Sequence, residues 1–234
     1  MKKNLFLLCE SYPYKTGEFF LDEEVLFLSK YFENIWIFTN VDAQQTPRNT
    51  PTNVSCINYP KPSAFQKIIY RLKALLFLPL WKDFYKSSQL FNLEFSFTTF
   101  KILWADYVRG SFIKNVIKTH FSKENIDFES TIFYAYWHNH KALALAMLKK
   151  EKNIKAIARA HGWDMDYARH PHPYLPFKNF IVENLDNTVS ISLFGKSMLE
   201  NVTDTKNHQK IAVSRLGKNN ERTPQFEKKD APKV

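Results

Sequence analysis

The apolar run Ile154 to Ala158 gives way to six residues of different character, Arg159-Ala160-His161-Gly162-Trp163-Asp164. This run, apolar but for Lys155, reads as a buried strand. Upstream lie a strong helix former, Ala142 to Leu148, and before it the aromatic strand Thr131 to Trp137. Strand, helix, strand and polar turn compose a βαβ unit, and open α/β sheets hold their ligands beyond the carboxyl ends of such strands.

The flanking sequence repeats this alternation. Asn4 to Cys9 is a predicted strand, Phe19 to Phe32 a helix with acids in its early turns, and Ile35 to Phe38 and Val54 to Tyr59 two further strands. Ser63 is placed to cap a basic amphipathic helix in which Phe65, Ile68, Ile69, Leu72, Leu75 and Leu76 recur at helical spacing, and Pro79 is expected to bend or end it. A longer helix follows from Phe100 to Phe121, weakened at Gly110. After the central unit come a helix over Leu175 to Leu185, a strand over Thr188 to Leu193, a helix over Phe194 to Val202 and a last strand over Lys210 to Ser214. The fold class is therefore α/β, a Rossmann-like doubly wound parallel sheet forming one domain over 1–217, with a basic helical region at 61–123 and a polar linker at 218–234.

Composition narrows the function classes. Five glycines leave no glycine-rich loop, which argues against a P-loop or a dinucleotide fingerprint. No run of eighteen apolar residues is present, and Met1-Lys2-Lys3 leads into an apolar segment too short for a signal peptide, so a cytoplasmic location is expected. Cys9 and Cys56 sit in apolar segments and read as reduced thiols acting as small hydrophobes. Charge is uneven: between Lys61 and Lys123 eleven Lys/Arg face three acids, in a chain whose net charge is +10. That excess suits an anionic membrane surface reached peripherally, and a core helix with a solvated basic face accounts for it equally. Nucleic-acid binding fits the charge but finds no motif, so no nucleic-acid partner is expected.

Three segments carry a resemblance: Tyr12-Pro13-Tyr14-Lys15-Thr16-Gly17-Glu18-Phe19, Arg159 to Asp164, and Ser214-Arg215-Leu216-Gly217. With them the chain resembles the amino-terminal half of a family 4 glycosyltransferase of the GT-B fold, of the bacterial exopolysaccharide and colanic-acid type. The resemblance implies a retaining, nucleotide-sugar-dependent hexosyltransferase whose amino-terminal lobe holds a carbohydrate or lipid-linked glycan acceptor. It also implies a separate donor lobe, with a paired-glutamate segment expected beyond Val234, so this half is expected to be inactive alone and to bind no cofactor of its own. Two departures stand out: Gly17-Glu18 where many relatives pair two glycines, and Ser192-Leu193-Phe194-Gly195-Lys196 where relatives often carry Ser-Glu-His before Gly-Lys.

On this resemblance His161 is the candidate catalytic residue, and Gly17, Glu18, Trp137, His138, Arg159, Gly162 and Asp164 are candidate acceptor contacts. The imidazole can donate or accept at either nitrogen, Gly162 permits a tight turn, and Asp164 orients the ring or caps the next turn. The competing reading makes His161 and Asp164 a satisfied polar pair where a strand leaves the sheet. Glu18 serves the helix dipole or an acceptor, Arg159 pairs with Asp164 or meets an anion, and Trp137 and His138 stack on a sugar or pack in the core. His161, His170 and His172 lack ligand spacing, so no metal site is predicted. A non-catalytic glycan- or nucleic-acid-binding module is the alternative function.

Overall fold

The computed structural model describes residues 4–14, 17–41, 46–90 and 96–217. Seven strands form one all-parallel sheet: β1 (Asn4–Leu8), β2 (Asn34–Thr39), β3 (Val54–Asn58), β4 (Thr131–Ala135), β5 (Lys155–Ala160), β6 (Asn187–Ser190) and β7 (Ile211–Val213), in the order β3-β2-β1-β4-β5-β6-β7. The chain begins in the middle, winds outward to β3, then returns to β4 beside β1 and winds the other way. The predicted Rossmann-like doubly wound sheet is thus present, with its switch point between β1 and β4. The 218–234 linker lies outside the described residues.

Period-two alternation assigns the two faces. Along β1, Phe6 and Leu8 join a large cluster with Phe38, Phe121, Phe133 and Ile113, while Leu5 and Leu7 face Leu21, Val25, Ile35 and Ile37. The second group is covered by α1 (Phe20–Leu28). The first is covered by α4 (Phe97–Lys123), α5 (His140–Lys149) and α7 (Lys178–Asn184). Burial of those rings is the main stabilising term, at about 25 cal/mol per Å² of apolar surface.

Local signals explain most helix limits. Ser63 caps α2 (Ala64–Leu75) in a capping box with Gln66. Pro79 does not bend or end this helix. α2 stops at Leu75, and Pro79 lies in the first turn of a separate α3 (Leu78–Leu90), where its missing N–H costs nothing. The expected weakening at Gly110 is also corrected: α4 runs unbroken, and a Cβ there would sit 3.1 Å from the His140 carbonyl oxygen and 3.1 Å from Met147 Cε. Gly110 lets α5 approach closely. The strand run through Arg159 and Ala160 then ends at His161, followed by the one-turn α6 (Gly162–Met165); α8 (Leu193–Val202) precedes β7. No helix among the described residues is long and apolar enough to cross a membrane.

Candidate functional site

At the carboxyl end of β1 the chain turns through the segment that holds Gly17 and Glu18. Glu18 adopts a left-handed backbone, φ 57°. Its carboxylate accepts the backbone N–H groups of Glu10 (2.9 Å), Ser11 (2.7 Å) and Tyr12 (2.8 Å), together with the indole N–H of Trp137. Three successive amides aimed at one carboxylate form an anion nest filled by the chain itself. Glu18 therefore neither serves the α1 dipole nor presents a free carboxylate: it closes the turn and tethers β4 to β1. Gly17 does not use its conformational freedom, since no glycine among the described residues has positive φ.

Trp137 follows β4, and its indole lies 4.5 Å from the His161 ring, with Tyr136 4.7 Å away. His161 is 8% exposed, and among the described residues neither ring nitrogen has a hydrogen-bond partner, nor has the hydroxyl of neighbouring Tyr136. Buried polar atoms are nearly always paired, so three orphans in one place at the carboxyl edge stand out, although all three are closed to solvent. Burial, then the nearby Glu24 charge, pushes the Tyr136 phenol up, so it stays protonated and able to donate.

Asp164 settles one open choice. Its Oδ2 accepts the backbone N–H of His138 (3.0 Å) and of His161 (3.2 Å), while His161 Nδ1 lies 3.6 Å away, beyond hydrogen-bond range. The carboxylate joins the ends of β4 and β5 through their backbones and leaves the imidazole free. Gly162 starts α6 with negative φ, and a Cβ there would make only ordinary contact with Arg169 Nη1 at 3.5 Å, so neither a special turn nor a close approach demands glycine.

His138 is fully buried. Its carbonyl accepts from Lys178 Nζ, and its ring nitrogens lie 3.4 Å from Lys178 Nζ and 3.5 Å from Thr188 Oγ1. Burial and the Lys178 charge hold this imidazole well below the ordinary histidine range. It is an interior group beneath the edge and offers no face to a ligand. Arg159 departs from expectation too: it does not pair with Asp164. Strand alternation places it on the α1 face, where Nη2 meets Glu24 Oε1 at 3.0 Å and Nε donates to the Tyr134 hydroxyl. Of the eight predicted site residues, His161, Trp137, Glu18 and Asp164 come together; His138 and Arg159 turn away.

The neighbouring histidines are separately engaged, His170 with the Trp163 carbonyl (2.8 Å) and His172 with Thr99 Oγ1 (2.8 Å). No group of three or more potential metal ligands is found among the described residues.

A second feature was not legible as a site. A cleft of about 860 Å³ opens at the carboxyl ends of β1 to β3, floored by Glu10, Asn40 and Tyr59 and walled by α2, α4 and the start of α5. Its cations come from four separate segments of chain. The sequence signalled five of the six only as the basic excess over 61–123, and Lys141 not at all. No protein-family model matches the chain, and no curated protein matches it.

Proposed function

We propose that this chain is the acceptor-side lobe of a retaining, nucleotide-sugar-dependent glycosyltransferase, of hexosyltransferase type, acting in bacterial surface polysaccharide synthesis. The observation that carries the reading is the cluster of orphaned polar atoms, both His161 nitrogens and the Tyr136 hydroxyl, beside the half-buried Trp137 indole at the sheet edge. A sugar offers what these groups lack: hydroxyls to donate and accept, and apolar C–H faces for an aromatic ring.

Retaining transfer asks the protein to stabilise an oxocarbenium-like centre and a departing diphosphate by hydrogen bonding and positive charge. His161 offers ring nitrogens to the acceptor hydroxyl, and Asp164 and Glu18 hold the strand ends that present it. Donor selection belongs to a second lobe, and the nucleotide sugar is a substrate of that assembly rather than a cofactor of this one. The acceptor is a carbohydrate or lipid-linked glycan, met at the anionic inner face of a membrane. The exposed apolar residues of α2, α3 and the turn between them, among them Phe65, Ile68, Leu72, Leu76 and Trp81, support that location, those of α2 being interleaved with Lys67, Arg71 and Lys73.

Nitrogen-15 histidine labelling tests the site on this chain. Titration with mono- and disaccharides of glucose, galactose, mannose and glucuronic acid is expected to shift the His161 ring signals, and His161→Ala to weaken the best ligand by about tenfold. Ring signals that stay fixed across this panel overturn the reading.

A further inference from the structure

The cleft between α2 and α4 is lined by six cations, Lys61, Lys67, Arg71, Lys101, Arg109 and Lys141, against one carboxylate, Glu10. Two of these seven cancel. Lys141 Nζ lies 2.5 Å from Glu10 Oε1, and this pair of a buried lysine with an exposed glutamate fixes the start of α5 to the end of β1. Arg109 makes only a long contact with Asp106, at 3.6 Å, and its side chain is 61% exposed. Lys61, Lys67, Arg71 and Lys101 have no ion pair among the described residues. Unpaired cations repel one another, and their convergence on one concave surface is a standing cost unless an anion shares it.

We infer that this cleft binds a diphosphate-bearing ligand, with Lys67, Arg71, Lys101 and Arg109 holding the phosphate oxygens. Three cations without an ion pair among the described residues, with Arg109 held only loosely by Asp106, exceed what a single phosphomonoester neutralises and suit two adjacent phosphates. The two arginines bring planar forks that match phosphate bidentately. The volume lies in the range of small-ligand sites, which favours a compact anion over a nucleic-acid strand. The walls are aromatic as well as basic, with Tyr59, Phe97, Trp104 and Phe112 facing the cleft, and Trp104 donates to the Arg71 carbonyl at 3.0 Å, locking α2 to α4. On α2 the Lys67–Arg71 row adjoins the exposed Ile68–Leu72 row, one helical turn between members. An apolar tail attached to the diphosphate would lie along that second row. The inference deepens the acceptor reading and rests on it only for the identity of the group carried by the diphosphate.

Trp104 in the wall reports occupancy by fluorescence. Inorganic pyrophosphate titrated into the chain at low salt is expected to saturate the signal, with affinity falling as salt rises. Lys67→Ala, Arg71→Ala and Lys101→Ala should each weaken binding about fivefold or more, with Arg71→Lys recovering part of the loss and Lys150→Ala, beyond the far end of α5, losing nothing. Two arms separate the sources. If a long-chain isoprenoid diphosphate in neutral detergent binds about tenfold tighter than pyrophosphate, and Ile68→Ser with Leu72→Ser removes that gain, the ligand is lipid-borne. Equal affinity assigns the cleft to a soluble diphosphate. Failure of pyrophosphate to bind, or cleft variants of unchanged thermal midpoint that bind like the parent, overturns the inference. So does a single-stranded oligonucleotide that outcompetes both diphosphates. His161→Ala should leave pyrophosphate binding intact, so the cleft and the sugar-binding reading fail separately.

Discussion

Around β5 and the first turn the charges are matched inside the chain: Glu18 takes three backbone amides and an indole, Asp164 takes two more amides, and Lys178 is sunk beneath them near Asp164, Asp83 and Asp106. In the cleft between α2 and α4, on the same edge of the same sheet, Lys61, Lys67, Arg71 and Lys101 stand without an ion pair among the described residues. The first region is satisfied except for one buried imidazole and one buried phenol. The second has positive charge to spare, as expected of a surface that waits for an anion. Sequence motif and open charge therefore fall in different places, and each predicts a different sensitivity to substitution.

The sharpest way to break this contrast is Lys178→Met. Lys178 is 5% exposed and donates to the His138 carbonyl; burial pulls its ammonium below the usual lysine range against the pull of Asp164, Asp106 and Asp83. Removing the cation while leaving the acids strands buried charge, at a cost of about 3 kcal/mol or more. Urea unfolding measures it. A variant as stable as the parent would show that the β5 region is not held by this network, and the satisfied half of the comparison would fall.

Glu18 gives a smaller effect with a finer signature. Glu18→Ala loses the acceptor for the amides of residues 10 to 12, a loss of about 2 kcal/mol softened by water at this half-buried turn. Glu18→Gly loses the same acceptor but relieves the left-handed backbone, and should be less destabilised than the alanine variant by about 1 kcal/mol. Equal thermal unfolding of the two variants would break the claim that the turn is held against its backbone preference.

Much of this was legible in advance for physical reasons. Strands covered by helices are rich in apolar residues, so Leu5 to Cys9, Ile35 to Phe38 and, but for Lys155, Ile154 to Ala158 announced themselves, and Ser63 announced the start of α2. The side of the sheet taken by Arg159 was readable too, since alternation from Ile157 sends it to the α1 face, away from Ala158 and Ala160. What could not be read depended on distant returns of the chain. The partners of Glu18 are backbone amides six to eight residues upstream, which leave no side-chain pattern. The cleft depends on the three-helix excursion from β3 to β4, which brings Arg71 and Lys101 beside Lys141 of α5 at one concavity although nothing in their spacing marks them as neighbours.

The smallest effect expected lies on the border between the two regions, at Asp106. Burial lifts its carboxyl from an ordinary value of 3.8 to about 6, against the opposing pull of Arg109 and Lys178. A carboxyl whose folded pKa exceeds its unfolded one binds more protons in the native state between those values, so its contribution to stability is full below about pH 4 and is lost as pH rises through about 6. His140 has the opposite slope, because burial, Lys141 and Arg109 depress its imidazole to about 3, making its contribution full above pH 6.5 and lost on acidification. Comparing Asp106→Asn with the parent cancels the His140 slope and isolates Asp106. The two proteins should unfold alike near pH 4, and the variant should be more stable by about 1 kcal/mol at pH 7, the value being reduced because the Asp106 side chain keeps 18% exposure. Arg109 lines the cleft, so removing the charge on Asp106 also releases that guanidinium, and pyrophosphate should bind the variant about twofold tighter above pH 6 and equally below pH 4. Identical pH slopes in the two proteins would place Asp106 with the satisfied region and cut the link between its ionisation and the open one.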